Sequence, residues 1–371
     1  MQDEVFSAGR NVLRNASMNP QSIGIVGYGR FGRTLAELCT EARLSFCAYD
    51  TAGEIPSIIR CDSLAEVAQR AIAIVLAVPV HTVPEVLTQL RPYLRADSHW
   101  VMDVGSVKLR PIEWMTAALG GDIPWVATHP LFGPNSLARG EPLKAVVCPN
   151  DLHPDAEAKA IALFESFGCE IVRQDPEEHD RAMAKSHAIA FFIAKGLLDA
   201  GADFDNRFTP PSFQSMRNTV DAVRADAGHL LLTLHRENPF APAARLRFVQ
   251  ALQDLNATLS AYEAEPADSS PQPGEPTIPE SPRHDSDLKQ TRNHIDELDM
   301  ELVALLARRA QLSRRAGRAK VGRPVRDPLR ETELLKSRRQ WADDAGLNPD
   351  NMEEIFQAVL RMSRQVQVDM R

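Results

Sequence analysis

The stretch Gly27-Tyr28-Gly29-Arg30-Phe31-Gly32 restricts the fold of this chain more than any other feature. It follows a short apolar run at 23–26 and opens a segment with helical periodicity. The first glycine permits a tight turn, the second lets a pyrophosphate approach the backbone, and the third lets helix and strand pack closely. Free N–H groups at the start of the helix can then bind phosphate. The pattern predicts a strand–turn–helix unit that binds a dinucleotide.

A single carboxylate narrows the choice of dinucleotide. Asp50 ends the next apolar run, 18 residues after Gly32. A carboxylate at this place accepts hydrogen bonds from the adenosine ribose hydroxyls and repels a 2′-phosphate. The sequence therefore predicts NAD as the cofactor, bound at Gly27, Gly29, Gly32 and Asp50.

Short apolar runs alternate with helical stretches as far as about residue 173. These runs lie at 23–26, 45–49, 71–78, 100–104, 125–128 and 145–148. Such alternation predicts an α/β doubly wound (Rossmann) domain with a mostly parallel sheet. The later pattern is helical, interrupted by a segment rich in Pro, Ser and Glu that cannot bury enough surface to fold. We expect a sequence of an N-terminal arm, a dinucleotide-binding domain, a helical domain, a disordered linker and a second all-α unit, at 1–20, 21–175, 176–262, 263–286 and 287–371.

Composition limits the kind of protein. The chain has 371 residues, 44% of them hydrophobic, and a formal net charge of −8, which allows two or three globular domains and argues against a nucleic-acid binder. Residues from 287 onward carry 17 basic and 14 acidic side chains, a balance that suits an anionic small molecule. The five cysteines have no CxxC spacing, so neither a metal site nor a disulfide framework is expected. Without an apolar run long enough for a membrane span or signal peptide, we expect a cytoplasmic protein.

Two polar motifs follow predicted strands. Ser106 lies in the motif after the run 100–104, and His129 directly follows the run 125–128. Ligands of doubly wound sheets sit outside the carboxyl ends of the strands, so both side chains are expected to face the nicotinamide. An imidazole there can accept the proton of a substrate hydroxyl while the adjoining carbon loses hydride. A histidine at a strand end also commonly serves as a structural hydrogen-bonding group.

These motifs resemble, in type and order, those of prephenate dehydrogenases. The resemblance spans residues 22–262 and adds to the glycine motif the segments 77–79 (AVP), 103–108 (DVGSVK), 129–134 (HPLFGP) and 178–180 (EHD). It implies a nicotinamide-binding domain followed by a helical domain that dimerises and completes the substrate pocket. It also implies that His129 is the catalytic histidine and that Ser106 hydrogen-bonds it or the substrate hydroxyl. In the implied reaction, hydride transfer to NAD and loss of carbon dioxide restore the aromaticity of the substrate ring.

The chain departs from that family at two places. Relatives often carry Ser-His-x-x-His after the Glu-His-Asp motif. Here Ser186 and His187 are present, but Ala190 stands in the place of the second histidine. The family's arginine for the ring carboxylate has no clear counterpart, although Arg217 and Arg224 lie in the expected region. Prephenate and its amino analogue arogenate both remain candidate substrates. His187 is either a substrate contact or a partly buried helix residue.

Residues 287–321 have the periodicity of one long helix with an apolar stripe. Two series recur every seven residues: Leu288, Ile295 and Leu302, and Leu298, Leu305 and Leu312. The next position of the first series is Arg309, and a guanidinium there is costly unless it meets an anion. Lys320 lies three turns further on nearly the same face, and Ser363 and Gln367 point inward from a later helix. These side chains predict an anion pocket in a helical bundle.

This tail resembles the all-helical class of chorismate mutases. The residues that fall on the family's active-site positions are Arg292, Arg309, Lys320, Asp327, Arg330, Glu331, Ser363 and Gln367. The resemblance implies that these residues bind chorismate, a dianion, and that it rearranges to prephenate without a cofactor. It further implies that Lys320 and Gln367 stabilise charge on the breaking ether oxygen, while Glu331 accepts from the substrate hydroxyl.

The spacing of two arginines predicts the quaternary structure. Arg292 precedes Arg309 by 17 residues, which on one helix separates them by about 25 Å and turns them to different faces. They cannot hold one small molecule from the same subunit. We therefore expect Arg292 to enter the partner's site and the protein to be a homodimer at least.

Together the two resemblances imply a bifunctional enzyme of tyrosine biosynthesis, with the mutase feeding the dehydrogenase. One alternative makes the tail a ligand-sensing or dimerising module without catalysis. Another keeps the oxidoreductase but gives it arogenate or 4-amino-4-deoxyprephenate. In each case the partners are small molecules, and neither nucleic acid nor membrane is expected.

Overall fold

The computed structural model describes residues 23–202, 210–225, 228–264, 287–319 and 326–368. The chain divides into two compact units. One comprises residues 1–135 with 143–270, and the other comprises residues 136–142 with 271–371. The predicted arm at 1–20 and most of the predicted linker lie outside the described residues.

The first unit is built on a seven-stranded sheet in the order β2-β1-β3-β4-β5-β6-β7. Neighbouring strands are parallel except for the pair β5 and β6, so the predicted doubly wound α/β fold is confirmed. Every residue of the central strands β1, β3 and β4 is buried, which is why they appear in the sequence as continuous apolar runs. The strands are β1 (Ile23–Val26), β2 (Phe46–Tyr49), β3 (Ala73–Leu76), β4 (Trp100–Asp103), β5 (Trp125–Pro130), β6 (Lys144–Val147) and β7 (Glu170–Arg173).

The order of the strands determines where a ligand can lie. The chain passes from β1 to β2 on one side and returns to β3 on the other, so the loops after β1 and β3 diverge. Such a switch point opens a crevice at the carboxyl ends of the strands. The glycine loop follows β1, and the loop with Ser106 follows β4. His129 lies inside β5 rather than after it, because this strand runs two residues further than its apolar run.

Helices surround the sheet and then form a separate helical layer. The helices connecting the strands are α1 (Arg30–Glu41), α2 (Leu64–Arg70), α3 (Val83–Leu90), α4 (Leu109–Leu119), α5 (Pro134–Ala138) and α6 (Pro154–Ser166). The helices after the sheet are α7 (Pro176–Lys185), α8 (His187–Asp199), α9 (Pro211–Ala225), α10 (Gly228–Arg236) and α11 (Ala241–Ala264). Small residues and leucine or phenylalanine side chains of α7, α8, α10 and α11 form a core of their own.

In its described residues after 286, the second unit contains the helices α12 (Asp287–Ala319), α13 (Pro328–Asp344) and α14 (Pro349–Val368). Helix α14 packs against both of the others. The predicted long helix is thus present, and the last helix begins at Pro349, since proline suits a first turn. In the described parts of the chain, no helix combines the length and apolarity that a membrane span requires.

Candidate active sites

The glycine loop has the geometry that its sequence predicts. Gly27 has φ of +99°, and a Cβ there would lie 2.5 Å from the carbonyl oxygen of Ala77. A Cβ on Gly32 would lie 2.0 Å from the carbonyl oxygen of Gly27. A Cβ on Gly29, at the start of α1, would meet nothing within 4 Å. Two glycines are therefore required by close packing, while the third leaves open space at a helix N-terminus, where a pyrophosphate fits.

Asp50 lies directly behind this loop. Its Oδ2 accepts a hydrogen bond from the backbone N–H of Tyr28 at 2.6 Å. Its Oδ1 accepts from the N–H groups of Ala52 and Gly53, each at 2.8 Å. Burial raises the pKa of Asp50, but these three N–H donors lower it and the net shift is downward. The carboxylate is therefore ionised and held in place, as an acceptor for ribose hydroxyls must be.

A chain of hydrogen bonds runs from His129 through two further residues. His129 Nδ1 lies 2.9 Å from His179 Nε2, and His179 Nδ1 lies 2.8 Å from Asp180 Oδ1. All three side chains are buried. An ionised Asp180 only accepts, so His179 donates from Nδ1 and accepts at Nε2. His129 then donates from Nδ1 and keeps a lone pair on Nε2, the atom that can act as a base.

The environment keeps His129 neutral. Burial lowers its pKa well below the ordinary value of 6.5, and the neighbouring His179, Lys108 and His187 lower it further. A neutral imidazole can accept a proton. The imidazolium that would form can then be stabilised through His179 by the carboxylate of Asp180.

Ser106 and His187 are the other two predicted dehydrogenase residues of this unit. Ser106 Oγ is buried and has no hydrogen-bond partner, an arrangement that is costly unless a ligand supplies one. The ring of His187 lies nearly parallel to that of His129, with centroids 6.4 Å apart, and also contacts Phe191. His187 is half-buried, and burial lowers its pKa. The structure thus brings it to the predicted catalytic histidine, although its sequence position left this open.

His179, Asp180 and Lys108 have roles that their sequence positions do not predict. The Glu-His-Asp motif was the available signal, because an acid beside a histidine on one helix is a common orienting pair. Its target could not be predicted, since 50 residues separate His129 from His179.

In the second unit the structure brings Arg309 and Ser363 together. The Arg309 guanidinium donates a hydrogen bond to the hydroxyl of Ser363, which is buried on α14. Arg309 is half-buried, and burial together with the charge of Arg338 lowers its pKa. Gln367 Oε1 is buried and has no partner. The Gln367 side chain fits because residue 317 is glycine, whose Cβ would lie 2.9 Å from its Cγ.

The other predicted mutase residues are placed differently. Glu331 is half-buried, and its Oε1 accepts from Arg364 at 2.7 Å, a contact that sequence reasoning missed. Asp327 caps α13 by accepting from the backbone N–H of Arg330 at 3.1 Å. The Arg330 guanidinium is exposed, 3.7 Å from Glu333. Arg292 is exposed on α12, and Lys320 lies outside the described residues.

Comparison with protein families gives three matches along the chain. Residues 50–152 match the nucleotide-binding domain of prephenate dehydrogenase, and residues 291–368 match chorismate mutase type II. Residues 1–86 also match the NAD binding domain of D-isomer specific 2-hydroxyacid dehydrogenases.

Individual relatives cover parts of the chain. A T-protein of Enterobacter agglomerans is 32% identical over 126 residues, 33% of this chain and 32% of that protein. Arogenate dehydrogenase 1, chloroplastic, of Arabidopsis thaliana is 26% identical over 276 residues, 70% of this chain and 42% of that protein. The chain thus spans about a third of the T-protein and less than half of the plant enzyme.

A solved structure shows the same fold. The prephenate dehydrogenase of A. aeolicus, crystallised with hydroxyphenyl propionate and NAD+, superposes with a TM-score of 0.54 at 19% identity. It covers 77% of this chain and 99% of its own. This likeness concerns the fold, whereas the family matches connect residues 50–152 with the nucleotide-binding domain of prephenate dehydrogenase and residues 291–368 with chorismate mutase type II.

Proposed function

We propose that this protein is a bifunctional enzyme of tyrosine biosynthesis. Its C-terminal unit rearranges chorismate to prephenate. Its N-terminal unit oxidatively decarboxylates prephenate with NAD, which gives 4-hydroxyphenylpyruvate, carbon dioxide and NADH. The observation that carries the second step is the buried His129–His179–Asp180 chain in the same unit as the unpartnered Ser106 hydroxyl and the glycine loop. The first step is supported by the Arg309–Ser363 contact beside the unpartnered amide oxygen of Gln367.

In the dehydrogenase, Gly27, Gly29, Gly32 and Asp50 would hold NAD. When bound, NAD accepts a hydride from the substrate ring. His129 Nε2 accepts the proton of the ring hydroxyl, and the relay through His179 stabilises the charge that this creates. Ser106 hydrogen-bonds the substrate hydroxyl and orients it toward that nitrogen.

In the mutase, the arginines bind and compress a dianion. The planar guanidinium of Arg309 binds a substrate carboxylate through two parallel N–H donors. The side-chain amide of Gln367, together with Lys320, stabilises charge on the breaking ether oxygen. Glu331, held by Arg364, accepts from the ring hydroxyl. Arg330, Asp327 and Ser363 complete the substrate contacts in this proposal.

We further propose that the mutase works as a homodimer. The apolar stripe of α12 is exposed in the single chain, at Ile295, Leu298, Leu302 and Leu305. An a/d stripe of this length requires a partner helix. A second copy also supplies the missing Arg292, which lies about 25 Å along α12 from Arg309. The site would therefore be incomplete in a monomer.

The remaining assignments belong to the same proposal. The domain limits are 21–175, 176–262 and 287–371, with a linker at 263–286. The enzyme acts in the cytoplasm, where five buried and unpaired thiols suit reducing conditions. Arogenate is the second candidate substrate, favoured by the plant arogenate dehydrogenase that matches 70% of the chain.

A coupled assay tests both activities at once. Chorismate and NAD are supplied together, and loss of chorismate and appearance of NADH are followed. NADH formation without added prephenate requires both reactions. His129→Asn should abolish the NADH signal and spare chorismate loss. Arg309→Ala should stop both chorismate loss and NADH formation, and added prephenate should restore NADH formation alone.

The same assay separates the alternatives. Chorismate that stays unchanged would make the helical tail a sensing or dimerising module. If NADH forms from arogenate with a higher kcat/KM than from prephenate, arogenate and not prephenate is the substrate of the dehydrogenase.

A further inference from the structure

Lys108 is the most deeply buried cation in the described part of the first unit. Its side chain has no exposed surface. The ammonium donates to Asp103 Oδ1 at 2.8 Å, to Asp103 Oδ2 at 2.7 Å and to the carbonyl oxygen of Thr128. Burying an ammonium is costly unless it is fully paired, and here all three of its donors are used.

These contacts connect the two segments that carry the proposed reacting side chains. Asp103 Oδ2 also accepts from the backbone N–H of Gly105 at 2.9 Å, in the loop that holds Ser106. Asp103 Oδ1 also accepts from the N–H of Thr128 at 3.2 Å, next to His129. The Lys108–Asp103 pair therefore sets the position of one segment relative to the other.

The backbone of the same residue holds the far end of the histidine relay. The N–H of Lys108 donates to Asp180 Oδ1 at 2.8 Å, and the N–H of Leu109 donates to Asp180 Oδ2 at 3.0 Å. Both N–H groups belong to the start of α4, where the helix dipole favours a carboxylate. A shift of Lys108 would therefore move Asp180 as well.

We propose that Lys108 is a positioning residue of the dehydrogenase site, which orients Ser106 and the His129 relay and supplies a fixed positive charge beside them. This inference rests on the proposed dehydrogenase function. After burial and His179, the charge of Lys108 is the next contribution that lowers the pKa of His129. The titratable and charged groups around the relay are His179 and Asp180 on α7, His187 on α8, Asp103 on β4 and Lys108 itself.

The test compares Lys108→Met with Lys144→Met in the full-length protein. Lys144 is an exposed lysine of the same sheet, paired with Glu170. For Lys108→Met we expect kcat/KM for NAD reduction to fall roughly 10- to 100-fold, because small displacements of reacting groups cost about this much. We also expect the acid limb of the kcat/KM profile to move to higher pH, while NAD affinity and chorismate loss stay unchanged. Lys144→Met should match the wild type in all four measurements.

A second variant covers the case in which Lys108→Met does not fold. Asp103→Asn with Lys108→Met removes both buried charges, so no unpaired ion remains. A folded double variant with wild-type kcat/KM and an unmoved acid limb would overturn the proposal. Loss of NAD binding in parallel with kcat would also overturn it, since the pair would then only support the fold. If the wild type itself forms no NADH, the dehydrogenase assignment is what fails.

Discussion

Asp180 is the residue that determines which nitrogen of His129 is available to the substrate. An asparagine at this position presents an N–H₂ group to one of the three donors that Asp180 now accepts from. His179 then loses the bond that keeps its Nε2 lone pair toward His129. We expect Asp180→Asn to lower kcat for NAD reduction by roughly 100-fold or more, with chorismate loss unchanged. Steady-state kinetics check this, and Glu178→Gln, at an exposed acid of the same helix, is the control; equal kcat values for the two variants would contradict the relay.

His129 also determines how the dehydrogenase responds to pH. Burial and the neighbouring His179, Lys108 and His187 lower its pKa well below 6.5, so the neutral base persists in moderately acidic solution. We expect the acid limb of kcat/KM to have its midpoint below 6.5, whereas a solvent-exposed histidine would give about that value. The unfolded chain takes up a proton near 6.5, so this histidine also makes the fold less stable as the pH falls below that value. Profiles of kcat/KM against pH test the first statement, and a midpoint above 6.5 would contradict it; thermal unfolding of wild type and His129→Asn at several pH values tests the second.

At the scale of the element, two glycines of one loop have different roles, one in cofactor binding and the other in the stability of the fold. A methyl group on Gly29 meets no protein atom, so Gly29→Ala should leave the unfolding temperature unchanged but obstruct the pyrophosphate. A methyl group on Gly32 meets the carbonyl oxygen of Gly27, so Gly32→Ala should cost about 1–3 kcal/mol of stability. We expect Gly29→Ala to weaken NAD binding about tenfold or more, since each 1.4 kcal/mol lost is a factor of ten. Calorimetric titration and thermal unfolding check the pair, and unchanged NAD affinity in a folded Gly29→Ala would place the pyrophosphate elsewhere.

The strands and the residues of the site differ in how well the sequence predicts them. Six strands were predicted from apolar runs, because strands buried on both faces leave a continuous signal. The seventh, Glu170–Arg173, was missed, since this edge strand has two apolar residues between two exposed charged ones. The glycine loop and Asp50 were predicted because the spacing of the glycines and the acid follows the strand–turn–helix–strand pattern of a dinucleotide-binding unit. The relay was not, since its partners meet only when His179 and Asp180 on α7 reach His129 on β5 and the start of α4.

At the scale of the whole molecule, the two proposed activities differ in whether a single chain can complete the site. The relay of the first unit is complete in one chain. The second unit leaves the α12 stripe exposed and Arg292 far from Arg309. Separation of the two chains at the α12 stripe should therefore directly lower the mutase activity. Leu298→Glu with Leu305→Glu, on the exposed stripe, should abolish chorismate loss and leave NADH formation from added prephenate unchanged. Full chorismate loss by this double variant would contradict the shared site.

Complementation between two inactive variants tests the shared site most directly. Arg292→Ala and Arg309→Ala each remove one of the two arginines from every site of a homodimer. If the arginines of a site come from different subunits, a mixed dimer has one site that lacks both and one that is intact. Random exchange of subunits should therefore restore about a quarter of the wild-type mutase activity. Chorismate loss measured before and after co-refolding checks this, and two aliquots of Arg309→Ala refolded together are the control. If both arginines belonged to one subunit, every site would keep its own defect, and mixing would restore nothing.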